Sequence, residues 1–351
     1  MLRSTKLRWS FLIFLVIASF GIYRLAGSEA WHQISGQQFR DSLIRVKYSY
    51  LFMAMVLVFL SYFFRSLRWQ QFLGTEGLGH FKKIFSASLI GFAAIALLGR
   101  PGELVRPALI ARDNNRSLSS QIAAWALERV LDSLTIAGLL GAALILWPIS
   151  NTVGADDWII SWRRAGLIFF AIAVVAGLLL VQLRLSPAWT SKVLDGVFRP
   201  LPLRFRELMH RQIINFSHGL ESMQSISRLV ACAAYSVIIW GCVLFSFWGI
   251  LQAFESPLSE ISINGVALIM SAGAVGSIAQ LPGIGGGMQV ATAFTLNQLF
   301  HIPVGLATSA AIWLWVISFM MVIPLGLALA AREGLNWQRL RMLSRGGESV
   351  T

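Results

Sequence analysis

The 351-residue chain predicts an all-α polytopic membrane protein, with about six full transmembrane helices plus two re-entrant hairpins in an inverted repeat. Three observations carry this expectation. Hydrophobic residues make up 56% of the chain and charged ones 13%, a balance outside the range of soluble domains. Long apolar runs recur along it. Two shorter runs are broken by Pro-Gly turns: Ile84 to Leu98 before Gly99-Arg100-Pro101-Gly102-Glu103, and Ile263 to Leu281 before Pro282-Gly283-Ile284-Gly285-Gly286-Gly287, after which Met288 to Phe300 resumes.

Full spans are read at about Trp9 to Leu25, Tyr48 to Phe64, Ser120 to Trp147, Ala165 to Leu183, Leu229 to Phe254 and Val304 to Ala331. The broken runs are different. At about 1.5 Å per residue Ile84 to Leu98 reaches about 22 Å and Met288 to Phe300 about 20 Å, short of a hydrocarbon core of about 30 Å. Pro removes a helix donor and Gly destabilises a helix, so the backbone opens at each turn. Open backbone is not tolerated against lipid, which places these segments in protein or beside a wet cavity, as at a transport site.

The N-terminal run follows Arg3, Lys6 and Arg8, and Ser28-Glu29-Ala30 has the form of a signal-peptide cleavage site. A retained first span is the preferred reading, because the topology needs it. The segment 184–228 holds Arg184, Lys192, Arg199, Arg204, Arg206, Arg211 and Arg228, and the tail holds Arg332, Arg339, Arg341 and Arg345. Both are read as cytoplasmic by the positive-inside rule, as is the N-terminus. The short connection Glu255 to Ser262 carries no base and faces out; Arg40, Arg45 and Lys47 dissent by falling in an outer loop.

With that orientation the two halves, about 9–147 and 165–331, run in opposite senses within a single membrane domain, 1–351. The offset that carries Pro101-Gly102 onto Pro282-Gly283 also carries Tyr48 onto Leu229 and Ser120 onto His301. Inverted repeats place substrate near the midplane, between the broken helices. The loop 184–228 is the one sizeable polar insertion, and 335–345 reads as a basic amphipathic helix on the inner leaflet.

The net charge of +13 does not point to nucleic acid, because the bases fall mainly in loops and flanks of apolar spans. Cys232 and Cys242 lie in one apolar run, about 15 Å apart along a helix and too far for a disulfide. The five histidines lack ligand spacing, so neither a metal nor another cofactor is expected.

Charged residues inside the apolar runs carry the functional signal. On the span beginning at Ser120, the residues Gln121, Trp125, Glu128, Arg129, Asp132 and Thr135 share one stripe about 120° wide. Ionisable groups at that depth cost about 2.5–3.5 kcal/mol each on insertion scales, so the stripe faces protein or water. Arg100, Glu103 and Arg106 sit at and after the first turn. Guanidinium matches phosphate oxygens in a bidentate way, so Arg100, Arg106 and Arg129 form a candidate phosphate receptor with Glu103, Glu128 and Asp132 as counter-charges. A purely structural arginine–carboxylate network is the alternative. One of Arg100 and Arg106 at least is expected within salt-bridge reach of Glu128 or Asp132.

Gly99-Arg100-Pro101-Gly102-Glu103-Leu104-Val105-Arg106 and Glu128-Arg129-Val130-Leu131-Asp132 resemble two motifs of the membrane domain of lysylphosphatidylglycerol synthases, a flippase-like family. These are a Gly-Arg-x-Gly-Glu-x-x-Arg turn and a Glu-Arg-x-x-Asp on the next helix. The stretch Pro282 to Gln289 resembles the third, Pro-Gly-Gly-x-Gly-x-x-Glu, with Gln289 in place of the acid. The resemblance implies a headgroup site of Arg100, Gly102, Glu103, Arg106, Glu128, Arg129, Asp132, Pro282, Gly283, Gly285, Gly286, Gly287 and Gln289. It also implies a translocase that moves a polar or anionic (phospho)lipid between leaflets of the bacterial cytoplasmic (inner) membrane. Only about twenty residues follow Ala331, so a stand-alone member without the aminoacyl-transferase domain is expected, and not an enzyme. The alternatives are an intramembrane transferase on a polyprenyl phosphate or other lipid, and a membrane partner of a lipid-modifying synthase. No catalytic residue is assigned, and oligomeric state is not legible.

Overall fold

The computed structural model describes residues 44–74, 77–146, 226–281 and 285–335, together with Asp41 and parts of 164–182. The first span, the loop 184–225, the segment Pro282 to Ile284 and the C-terminal helix beyond Leu335 lie outside the described residues.

The described chain is helical apart from one two-residue pairing. Helix α1 is Tyr48–Leu73, closed by Gly74, whose left-handed φ of +64° lets its N–H reach back to the carbonyls of Gln70 and Gln71. Helix α2 is Leu78–Leu98. A 3-10 turn, Arg100–Leu104, leads into α3, Val105–Asp113. Helix α4, Leu118–Ile145, starts on a Ser117 cap that accepts the Ser120 N–H at 3.3 Å. A short apolar helix, 166–175, follows. Helix α5 is Ile226–Gln252 and α6 is Ile263–Gly276. Gln280–Leu281 then pairs antiparallel with Gly285–Gly286. Helix α7 is Gly287–Phe300, α8 is Val304–Trp315, and a π turn at Val316–Met320 joins it to α9, Val322–Arg332.

Among the described residues, four helices are long and apolar enough to cross a bilayer: α1, α2, Ser227–Gln252 in α5, and the continuous stretch Val304–Arg332. Two of these correct the sequence reading. Helix α1 continues nine residues past Phe64, because Arg65 and Arg68 are buried in ion pairs instead of ending the span in water. Helix α2 begins at Leu78, ahead of the expected Ile84; its 21 residues give about 31 Å, which is not short of a hydrocarbon core. The six residues before Ile84, Leu78 to Lys83, are exposed or half-buried and include Lys82 and Lys83, whose stems extend along a helix end without interrupting it. The second broken run keeps its expected brevity, since α6 and α7 have 14 residues each, about 21 Å.

Both broken segments are held by close backbone approach. At the first turn, Gly99 takes φ +70°, and a Cβ on Gly102 would strike the Ala94 carbonyl. Gly91 then lets α3 lie on α2, where an added Cβ would sit 2.5 Å from that of Arg106. At the second, Gly276 and Gly287 face each other so tightly that a Cβ on either would strike the other's carbonyl.

The apolar core forms one cluster from α1, α5, α6, α7 and α8, including Val58, Ile250, Ile269, Leu296 and Leu314. A second, from α1 to α5, includes Trp69, Ile84, Leu109, Leu127 and Cys232. Outward faces remain apolar, as Phe52, Val56, Val237 and Phe245 show, which suits lipid as solvent. Helix α9 is pinned on α2 by Gly326 against Leu89 and Ala93, and by Glu333, which accepts from Ser86 at 2.5 Å and from Arg112 at 3.0 Å.

Candidate functional site

Helix α4 supplies the two acids. Glu128 and Asp132 are one turn apart on one face and almost fully buried, at 0% and 4% exposure. Two carboxylates so placed repel each other, and each is costly to desolvate, so the fold must bring cations to them. It brings four. Helix α1 delivers Arg65 and Arg68 from successive turns, α3 delivers Arg106, and α4 itself adds Arg129.

The geometry interlocks. Arg68 spans both acids, at 2.9 Å to Glu128 Oε1 and 2.8 Å to Asp132 Oδ1. Arg65 reaches Asp132 Oδ2 at 3.2 Å and Glu128 Oε1 at 3.5 Å. Arg129 Nη2 lies 3.1 Å from each acid, and Arg106 closes on Glu128 Oε2. From α5, Trp240 Nε1 donates to Asp132 Oδ1 at 3.1 Å, and Ser236 Oγ takes a hydrogen bond from Arg68 at 2.7 Å. Aromatic faces complete the shell: Arg106 lies 4.3 Å over Trp69 and 5.1 Å over Phe92, and Arg65 5.5 Å over Phe92 and 5.7 Å over Trp240. Trp69 is itself held by Gln121, which accepts its Nε1–H at 3.1 Å.

Guanidinium exceeds carboxylate by two in this centre. Arg106 is 5% exposed and its Nη1 has no hydrogen-bond partner; the same holds for Arg129 Nε, although the Arg129 side chain is 40% exposed. The centre thus has spare donors, and Arg129 is its opening to the surface.

The expected pairing of Arg106 with Glu128 is present. Arg100 stands apart, paired with Glu103 at 2.7 Å and donating from Nε to the Ile278 carbonyl at 3.4 Å. That second contact joins the first turn to the second, since Ile278 lies two residues before the Gln280–Leu281 strand. Gly102 contributes close packing, and Gly287 does the same. Gly285 and Gly286 lie in the short pairing, where Gln289 Oε1 accepts the Gly286 N–H at 2.7 Å and caps α7. Pro282 and Gly283 lie outside the described residues. Thr135 bonds back to Leu131 on its own helix at 2.8 Å.

Sequence reasoning missed Arg65, Arg68, Ser236 and Trp240. A spacing signal existed for the first two: Arg65, Arg68 and Trp69 recur at helical intervals directly after an apolar run. Nothing comparable marked Ser236 or Trp240, which carry no charge.

Long apolar helices around an internal arginine–carboxylate centre define a multi-pass helical membrane protein. A family model described as the lysylphosphatidylglycerol synthase TM region matches residues 6–326. The chain therefore belongs to that family, whose function is tied to membrane lipid. A search among curated proteins gives no match.

Proposed function

We propose that this protein is a translocase that moves a polar or anionic (phospho)lipid between leaflets of the bacterial cytoplasmic membrane, with headgroup contacts at Arg129, Arg106 and the first turn. The observation that carries this reading is the buried excess of guanidinium with unpartnered donors at Arg106 and Arg129. Intramembrane charge of this kind marks a substrate path more readily than an anchor. The acyl chains stay in the bilayer while the headgroup crosses beside the arginines.

An inverted repeat accounts for the element order, with α6 and α7 as a re-entrant hairpin and the longer α2 with α3 as its broken counterpart. A long helix, a broken pair and a second long helix occur as α1 to α4 and again as α5 to α9. The contact between Arg100 and Ile278 supports turns that meet between the halves. In this arrangement both termini are cytoplasmic.

Purified protein in proteoliposomes, scored by leaflet-resolved accessibility of labelled anionic lipid, tests the reading. Wild-type protein is expected to exceed empty vesicles. Arg129→Ala and Glu103→Ala should each slow movement about 10- to 150-fold, the loss of one charge-assisted contact, with membrane insertion intact. A wild type that moves no lipid from a broad panel, matched by Arg129→Ala, refutes it.

A further inference from the structure

We propose that Glu333, at the end of α9, is a positioning residue for Arg106. Acting through α3, it sets how that guanidinium meets Glu128 and so how the centre receives a headgroup. This rests on the reading that the headgroup meets Arg106. Glu333 itself lies outside the three motifs and makes its hydrogen bonds away from the centre.

Glu333 is the first acid after Glu260, and it follows an α9 that has no charge before Arg332. Its two oxygens reach the two arms of the first hairpin. Ser86 on α2 donates to Oε1 at 2.5 Å, and Arg112 Nη2 on α3 donates to Oε2 at 3.0 Å. Arg112 is steadied by Asp113, whose Oδ1 accepts from its Nε at 2.6 Å, and Lys83 on α2 donates to the Asp113 carbonyl at 3.3 Å. Helix α9 gives this latch a fixed base, because Gly326 seats it against Leu89 and Ala93.

The other end of α3 is tied less firmly to the backbone before it. Arg106 is its second residue, and Pro107 follows without the N–H that would bond the Glu103 carbonyl. The step from the 3-10 turn into α3 is therefore a pivot. Leu109 and Ile110 are fully buried, which keeps α3 in the core. Apolar burial is non-directional, so it does not by itself select the phase of the helix about its axis. Directional contacts do, and α3 has them at both ends: Arg106 on Glu128 and Arg112 on Glu333, about 9 Å apart along the axis. A helix of this length moves as one piece. Slackening the Glu333 contact is therefore felt at Arg106, whose guanidinium lies 4.3 Å over Trp69.

Fluorine NMR of the full-length, fluorotryptophan-labelled protein in nanodiscs reads the position of Arg106 without reference to transport, since Trp69 lies beneath it. Each resonance is assigned by the corresponding Trp→Phe variant. Glu333→Gln should shift Trp69, while Trp248 and Trp313, packed on the other core cluster, stay in place. Arg112→Gln cuts the same contact from its other side and should give the same shift, which covers a Glu333 variant that fails to fold. After Arg106→Gln, adding Glu333→Gln should move Trp69 no further. In proteoliposomes Glu333→Gln should slow anionic-lipid movement about two- to fivefold, the effect of one half-buried ion pair. The exchanged pair, Arg112→Glu with Glu333→Arg, should recover part of that loss. A Trp69 resonance that stays in place in both single variants makes the latch a mere brace, whatever happens to Tm, and overturns the proposal. A shifted Trp69 with lipid movement at the wild-type rate overturns it too. A shifted Trp69 in a protein whose wild type moves no lipid upholds the positioning and refutes the translocase instead.

Discussion

The two broken segments use the same device, a glycine-backed turn, for opposite chemistry. The first carries Arg100, Glu103 and Arg106 within seven residues, and its return helix α3 places Arg106 on Glu128. The second has no charged residue from Ser262 to Phe300 and makes its contacts through backbone and amide groups. The first hairpin is therefore an electrostatic member of the centre. The second is a packing member, fixed by the mutual approach of Gly276 and Gly287 and tied to the first by Arg100.

The largest effect belongs to the acids that the first hairpin serves. Glu128→Gln takes from the buried Arg106 its one carboxylate partner, weakens the hold on Arg65, Arg68 and Arg129, and should destabilise the protein by about 3–5 kcal/mol, read as a fall in Tm in detergent. Combining it with Arg106→Gln should recover part of that loss, and a double-mutant cycle measures how much. In the second hairpin, Gly287→Val forces side-chain carbon into the Gly276 carbonyl and should cost about 1–3 kcal/mol, with no dependence on salt. Gln289→Ala removes the acceptor for the Gly286 N–H and should cost about 1 kcal/mol. Arg100→Ala breaks a half-exposed pair, 48% accessible on the arginine, and should change stability by no more than about 1 kcal/mol. The smallest effect is Gln289→Glu, which keeps the acceptor and places a negative charge on a helix N-terminus, a gain of about 0.3–1 kcal/mol. A large effect of Gln289→Glu on stability, or a salt-sensitive Gly287→Val, would break the contrast between the hairpins.

The legible parts of this molecule were those in which charge interrupts an apolar pattern. Glu128, Arg129 and Asp132 stood out because their depth in a long helix admits few explanations, and Arg106 followed from its distance past the turn. Arg65 and Arg68 were equally buried but came at the end of a run, where basic residues ordinarily face headgroups; only their ion pairs with the acids of α4 distinguish the two cases. Trp240 and Ser236 belong to the centre through single hydrogen bonds, and an indole or hydroxyl in an apolar helix looks the same with or without one. The start of α2 at Leu78 lies ahead of the apolar run for a related reason, because a helix can continue through polar residues that leave no apolar pattern.

The π turn at Val316–Met320 sits where Tyr62, which stacks on Phe92, donates its hydroxyl to the Ser318 carbonyl at 3.1 Å. Such a turn holds one residue more than the α geometry on either side, so it resets the angular phase of everything after it by roughly 100°. That offset lets α8 address α7 while α9 turns Gly326 toward α2 within one span. The segment is consequently sensitive to residue number more than to residue kind. Conservative exchanges among Val316, Ile317 and Met320 leave the phase intact, whereas deleting any one residue there would rotate Gly326 away from Leu89 and present a bulkier side chain to a surface cut for none.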